Sequence, residues 1–174
     1  MKLSAVQQKF VLHWGEMGTR WGINRTVAQI HALLYISPKP LPAEEIAETL
    51  NVARSNVSTS LKELQGWRIV KRVHVLGDKR DHFDSMKNVW DMFRIVLDER
   101  KRREIDPTVA MLDECIREAE RGTDKYTEER LRELHGFFEK TTAWYMQVAK
   151  LPSGALAKFI SAGDKTLKFL GIGG

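Results

Sequence analysis

Two clusters of side chains in this chain have the types and spacing to do chemistry, and in both that chemistry is hydrogen bonding to a polyanion. Arg54, Ser55, Asn56, Ser58, Thr59 and Lys62 fall within one short stretch. They combine small hydroxyl side chains, which let a backbone approach a surface closely, with one carboxamide and two cations. A carboxamide pairs with an adenine edge, while Arg or Lys reaches guanine or a phosphate. Asp78, Lys79 and Arg80 follow Gly77 in what reads as a turn. Two cations at a hairpin tip suit a narrow, negative minor groove. Both clusters lie inside residues 53–80, where seven Lys and Arg stand against two acidic residues; that excess is the chain's whole net charge of +5. Such a concentration marks either a polyanion-binding face or a solvated basic surface.

Catalytic and metal chemistry have no comparable support. There is no phosphate-binding glycine loop, no pair of catalytic carboxylates on one short segment, and no Ser or Cys nucleophile motif. Cys115 is the single cysteine, which excludes an internal disulfide and a multi-cysteine metal site and reads as inert packing. His74 and His82 are expected to face each other across a hairpin, and two histidines without further ligands make a poor metal site. Arg100-Lys101-Arg102-Arg103, surrounded by Asp98, Glu99 and Glu104, reads as a solvated helix face. The expectation is therefore a protein with no enzymatic activity, no cofactor and no metal. Its 174 residues are 43% apolar and 29% charged, a globular balance. No apolar stretch is long enough to span a bilayer, and Met1 to Glu16 lacks the apolar region of a secretory signal. The expected location is the cytoplasm, with no membrane partner.

The elements that must position these clusters are mostly helical. Val6, Phe10, Trp14, Met17 and Trp21 recur at helical spacing and predict a first helix over roughly 4–21, broken by Gly22. Asn24 is the expected N-cap of a second helix with a stripe of Val27, Ile30 and Leu34. Ser37 to Pro42 is a stiff connector that cannot be helical. Pro42 suits the first turn of a third helix, with Glu44 and Glu45 at its positive end and Ile46 and Leu50 facing inward. After the break Asn51-Val52-Ala53, a fourth helix is predicted over 54–66. Its Val57, Leu61 and Leu64 share one face, which turns the first cluster outward, and Gly66 ends it. Residues 69–75 read as a strand, Gly77 to Arg80 as a turn, and Asp81 to Asp84 as a short return strand.

Helix followed by short break, helix, strand, turn and strand is the order of a winged helix-turn-helix. From about 86 the chain is helical again, with Val89, Phe93, Val96 and Leu97 in one stripe. Asp106-Pro107 reads as a new start, Asp capping and Pro in the first helical position, with Val109, Leu112 and Ile116 following. Thr127, Glu128 and Glu129 start a last long helix through Leu151. Its apolar positions are Leu131, Leu134, Phe138, Tyr145 and Ala149, with Phe137, Trp144 and Val148 on an adjoining face. Pro152-Ser153-Gly154 stops it, and a tail carries apolar clusters around Phe159 and Phe169. The expected fold class is mainly α with a small β wing: a winged helix-turn-helix plus long dimerisation helices. The expected divisions are an N-terminal dimerisation helix at 1–22, a DNA-binding domain at 23–85, a helical dimerisation region at 86–152 and a tail at 153–174.

The run from Leu41 to Leu64 (LPAEEIAETLNVARSNVSTSLKEL) resembles the winged helix of the GbsR branch of MarR-type bacterial transcriptional regulators. Trp21-Gly22-Ile23-Asn24-Arg25-Thr26 and Gly77-Asp78-Lys79-Arg80-Asp81 also match its pattern, and the likeness is good from about 8 to 100. The resemblance implies a homodimer on a roughly palindromic operator. It implies that the fourth helix reads the major groove, and that Arg80 enters or flanks the minor groove with Asp78 orienting it. Ala53 departs from the family, which often has a Ser or Thr N-cap there. A lost cap costs about 1 kcal/mol, and Ser55 capping a later start is the alternative. Some members of this branch sense choline-like osmolytes, and aromatic cages bind quaternary ammonium groups. Trp14, Trp21, Trp90, Trp144 and Tyr145 would supply such a cage; the same residues also read as core or dimer interface.

The helices beyond 86 carry more apolar stripe than one winged helix covers. Burying it against a second copy matches a palindromic site; the alternative is an intrachain bundle. The expected function is a sequence-specific DNA-binding transcriptional regulator, a repressor acting as a homodimer and modulated by a small-molecule effector. The other class is a winged-helix protein-interaction or architectural module. A scaffold needs no basic excess coincident with the fourth helix and wing.

Overall fold

The computed structural model describes residues 1–152, 154–156, 158–159 and 162; Ser153 and Phe169 lie outside them. The chain forms two compact units, Met1–Ile95 and Val96–Gly174.

The first unit is built around its second helix. Helix α1 (Ala5–Arg20) begins with a reciprocal capping box: Ser4 Oγ accepts from the Gln7 N–H at 3.3 Å, and Gln7 Oε1 accepts from the Ser4 N–H at 2.9 Å. Helix α2 (Arg25–Ile36) is capped as expected by Asn24, whose Oδ1 accepts from the N–H groups of Thr26 (2.8 Å) and Val27 (3.4 Å). The predicted stripe of α2 is buried, but so are Ala28, His31, Ala32 and Leu33. A helix surrounded on all sides is a core element rather than an amphipathic surface one. Helix α1 approaches α2 through small residues: a Cβ on Gly18 would lie 2.5 Å from Ala28 Cβ, and one on Gly15 would lie 2.6 Å from Gln29 Cγ.

The connector leads into a strand that the sequence conceals, β1 (Leu41–Pro42), then α3 (Ala43–Leu50) and α4 (Arg54–Gly66). Pro42 stands one residue ahead of the helix, as its N-cap, and pairs with His82 at the sheet edge. An edge position tolerates proline, since its missing N–H leaves no ladder bond unmade. Asn51 turns the chain at φ 51°. Val57, Leu61 and Leu64 are all buried, at about 1.5–3 kcal/mol each. That burial against α2 and α3 fixes the outward direction of the opposite face of α4. The helix starts at Arg54 with Ala53 as N-cap and no side-chain cap bond, so Ser55 does not serve as a later cap. Gly66 is the last helical residue, but the reversal falls on Arg68 at φ 61°, where the Ile69 N–H donates back to Leu64 O.

The wing is an antiparallel hairpin of β2 (Val70–Val75) and β3 (Asp78–Ser85), with β3 in the centre of the order β1-β3-β2. The return strand is twice the expected length, and the turn is Leu76-Gly77, with Gly77 at φ 86°. Asp78, Lys79 and Arg80 therefore lie on the strand and not at the tip. The register slips between the Val73–His82 and Val75–Asp78 pairs, so Lys79, Arg80 and Asp81 oppose His74 alone. A bulge of this kind breaks the two-residue alternation and re-aims side chains. It also separates the two histidines, since His82 is buried opposite Val73 while His74 is exposed.

Lys87, just beyond β3, closes the unit. Its Nζ donates to the carbonyls of Leu34 (2.7 Å), Tyr35 (3.0 Å) and Ser37 (3.1 Å) and stands 3.6 Å from Asp84. Helix α2 has no basic residue in its last turn; Lys87 supplies the cation that its negative end favours.

Helix α5 (Val89–Arg100) is capped by Asn88 Oδ1, which accepts from the N–H of Trp90 at 3.0 Å. Its Met92 and Ile95 pack on the first core, while Val89 and Phe93 are exposed. In the second unit no new start occurs at Asp106. The chain runs through a π-helical segment (Lys101–Ile105) directly into α6 (Asp106–Ala119), and Asp106, the expected cap, is itself in helical geometry, as is Ile105 before it. In this segment the Asp106 N–H reaches Lys101 O, five residues back. That wider turn accommodates Pro107, which lacks an N–H and crowds the carbonyl four residues earlier. Helix α7 (Lys125–Ala149) starts earlier than expected, because Asp124 is its cap: its Oδ1 accepts from the Thr127 N–H at 3.0 Å. Leu112, Ile116 and Leu156 are the buried apolar residues described in this unit. No helix among the described residues is long and apolar enough to cross a membrane.

Candidate nucleic-acid interface

The six residues predicted on the fourth helix are all solvent-exposed on α4: Arg54, Ser55, Asn56, Ser58, Thr59 and Lys62. Ser60, between them, is buried and belongs to the packing face. The hairpin lies beside this helix. Together α3, α4 and the two strands enclose an open cleft of about 410 Å³ lined by Glu44, Arg54, Ser58, Lys62, Gln65, Arg72, Arg80 and Asp81, among others. The cleft thus gathers four cations. Ser55, Asn56, Thr59, Asp78 and Lys79 lie outside its lining. The sequence reading counted Arg72 only as charge, placed Glu44 only at the start of the third helix and overlooked Gln65. Alternation along β2 offered a signal for Arg72, but nothing local pointed Glu44 at this cleft.

The arginines are held in place. Arg80 grips the Asp78 carboxylate with its side chain, Nε at 3.0 and 3.1 Å and an Nη at 2.5 Å, and its backbone N–H donates to the same carboxylate at 3.0 Å. The Arg80 hydrogen bonds hold the Asp78 carboxyl well below the usual carboxylate range. In return Asp78, with Glu44 and Glu45 at longer range, makes the Arg80 guanidinium hold its proton more tightly. Buried His82 lies underneath, its Nδ1 3.0 Å from Arg80 O and its Nε2 3.4 Å from Asp78. Arg72 pairs across the hairpin with Asp81 at 3.2 Å. Arg54, opening α4, pairs with Glu44 in the first turn of α3. Lys62 and Lys79 have no ion pair among the described residues. At the true tip stands Leu76, fully exposed. Such an array of donors, fixed by neighbouring carboxylates along a small-residue helix face, is fitted to an extended anionic ligand with readable edges.

The aromatic set is divided between the two units. Trp14 is half-buried against the first core and 5.4 Å from the Phe10 ring. Trp21 is exposed and Trp90 half-buried, both in that unit. In the other unit Trp144 is exposed, and the Tyr145 hydroxyl donates to Asp98 at 2.7 Å. No group of three potential metal-ligating side chains occurs among the described residues. Cys115 is half-buried, with Sγ 3.5 Å from Met111 Sδ. The basic run after Asp98 carries ion pairs: Arg102 with Glu99 at 2.5 Å, Lys101 with Asp106 at 2.5 Å and Arg100 with Glu104 at 3.8 Å.

Residues 21–81 match the sequence model of the MarR family. The HTH-type transcriptional repressor GbsR of Bacillus subtilis (strain 168) is 22% identical over 154 residues, spanning 83% of this chain and 85% of that protein. A crystal structure of a transcriptional regulator superposes with a TM-score of 0.62 at 23% identity, covering 89% of this chain and 98% of the other. That superposition shows the same fold.

Proposed function

This chain carries a winged helix of the MarR type over residues 21–81, and from that premise we propose that it is a transcriptional repressor that binds a palindromic operator as a homodimer. The observation that carries the reading is the meeting, in one cleft, of the outward face of α4 with the arginines of the wing. Helix α4 enters the major groove, where Asn56 reads an adenine edge and Arg54 or Lys62 reads guanine or phosphate. Ser55, Ser58 and Thr59 allow close approach. Arg80, set by Asp78 on the β3 bulge, reaches the adjacent minor groove or its backbone, with Lys79 beside it.

A second copy covers the apolar surface that each unit leaves open: Val6 and Leu12 on α1, Val89 and Phe93 on α5, and Phe137 and Trp144 on α7, each 44–78% exposed. The N-terminal helix (1–22) and the helices of 86–152 form that interface in this reading. Two recognition helices must then stand about 34–36 Å apart to enter successive major grooves. A small-molecule effector that changes this separation releases the operator.

Selection of bound duplexes from random DNA, at two salt concentrations, tests the reading. A recovered palindrome with steep salt dependence is the expected result. Arg80→Ala should weaken binding to every sequence and lower the salt slope by about 0.9 for each phosphate it leaves unneutralised. Sequence-blind binding would leave an architectural protein, and no binding at low salt an interaction module. Sedimentation as a monomer at micromolar concentration would overturn the dimer.

A further inference from the structure

The cleft between α4 and the wing contains a carboxylate that a phosphate-binding surface does not need. Glu44 stands in the first turn of α3 and pairs with Arg54, the first residue of α4. Its side chain is 32% exposed and Arg54's 70%. A pair this open adds little to stability, so its consequence lies in what it does to the cations around it. Arg54 sits at the positive end of the α4 dipole, in a first turn without an acidic residue or a side-chain cap. Helix electrostatics disfavour a cation there. Glu44 compensates from the neighbouring helix. It lines the same cleft as Lys62, Arg72 and Arg80, so it also opposes any phosphate that enters.

We propose that Glu44 is a specificity-determining residue, which holds Arg54 against α3 and cancels its attraction for phosphate, so that Arg54 serves as a reader of base edges rather than a backbone anchor. A guanidinium has five N–H donors in a planar fork. One edge engaged by a carboxylate leaves the other to meet a guanine in bidentate fashion. A phosphate, whose attraction is mainly charge, gains little from an arginine already neutralised. Glu44 therefore costs affinity on every sequence and returns it only where the correct base is present.

This inference rests on the DNA-binding reading, and one experiment separates the two. Wild type, Glu44→Gln, Arg54→Ala and the double variant are titrated against the selected operator and a random-sequence duplex of equal length, across a range of salt. Glu44→Gln is expected to bind the random duplex roughly three- to tenfold more tightly, with a salt slope steeper by about 0.9, the signature of one more phosphate neutralised. Its ratio of operator to random affinity should fall, and the larger part of both changes should vanish when Arg54 is already alanine, leaving only the weaker relief felt at Lys62, Arg72 and Arg80. A merely structural role predicts the opposite sign: a lower melting temperature and weaker binding to both duplexes. Weaker or unchanged random binding by Glu44→Gln overturns the proposal, as does a gain that persists undiminished in the Arg54→Ala background. A wild type that binds neither duplex at low salt overturns the DNA reading itself and the inference with it.

Discussion

Acidification from pH 7 to pH 5 should cost this protein about 2 kcal/mol of stability through His31 alone. The ring is 7% exposed in the middle of α2, and its Nε2 has no hydrogen-bond partner among the described residues. Burial, reinforced by the Lys87 ammonium, lowers its pKa from 6.5 to about 4. The unfolded chain therefore accepts a proton between those values that the folded chain refuses. Stability is fully present above the unfolded pKa and is lost as pH falls toward 4. A shift of this size corresponds to about 3 kcal/mol when integrated across the whole window, of which a little over half falls between pH 7 and pH 5. Urea unfolding at the two pH values checks this, with His31→Phe as the reference that keeps a ring but removes the titration. Wild type should lose about 2 kcal/mol more than His31→Phe. Parallel losses in the two proteins would refute the reasoning. The outcome bears on function because α2 is the floor on which α4 is seated.

Other expected outcomes concern the elements around the cleft. Ala53→Ser should supply the missing cap of α4 by accepting from the Asn56 N–H, raising stability by about 1 kcal/mol and the melting temperature by roughly 2–4 °C. Gly18→Ala gains about 1 kcal/mol of helix propensity but places a Cβ 2.5 Å from that of Ala28. The α1–α2 packing must open, and a net loss of about 1–3 kcal/mol is expected on thermal unfolding. Asn56→Ala should relax base preference at one operator position, by about 1–3 kcal/mol, and leave preference at the other positions unchanged. A binding array of single-base operator variants reads this directly.

Local pattern made α4 legible. The apolar spacing of Val57, Leu61 and Leu64 placed α4 and with it the outward face of Arg54, Asn56, Thr59 and Lys62. Asn24 announced the start of α2. These features depend on interactions within four residues, where chemistry and spacing are both visible in the chain. The hairpin was legible as a hairpin, but not in detail, since a turn's position depends on register. The Leu76-Gly77 turn and the bulge at Lys79 to Asp81 follow from which β3 residues pair with β2, and they moved Arg80 from the tip to the cleft.

By itself the sequence determined the order of the helices and hairpin of the winged helix, the buried stripe of each of its helices and the concentration of cations on the fourth helix and wing. Helical periodicity, capping and side-chain charge are local properties. Only the tertiary structure decided where those cations point and what holds them. Lys87 closes the end of α2 across some 50 residues of chain, Glu44 crosses between helices to Arg54, and Asp78 fixes Arg80 on a strand whose register the sheet sets. Each depends on distances between groups remote in sequence or on packing around them, and such distances exist only once the core around α2 has formed.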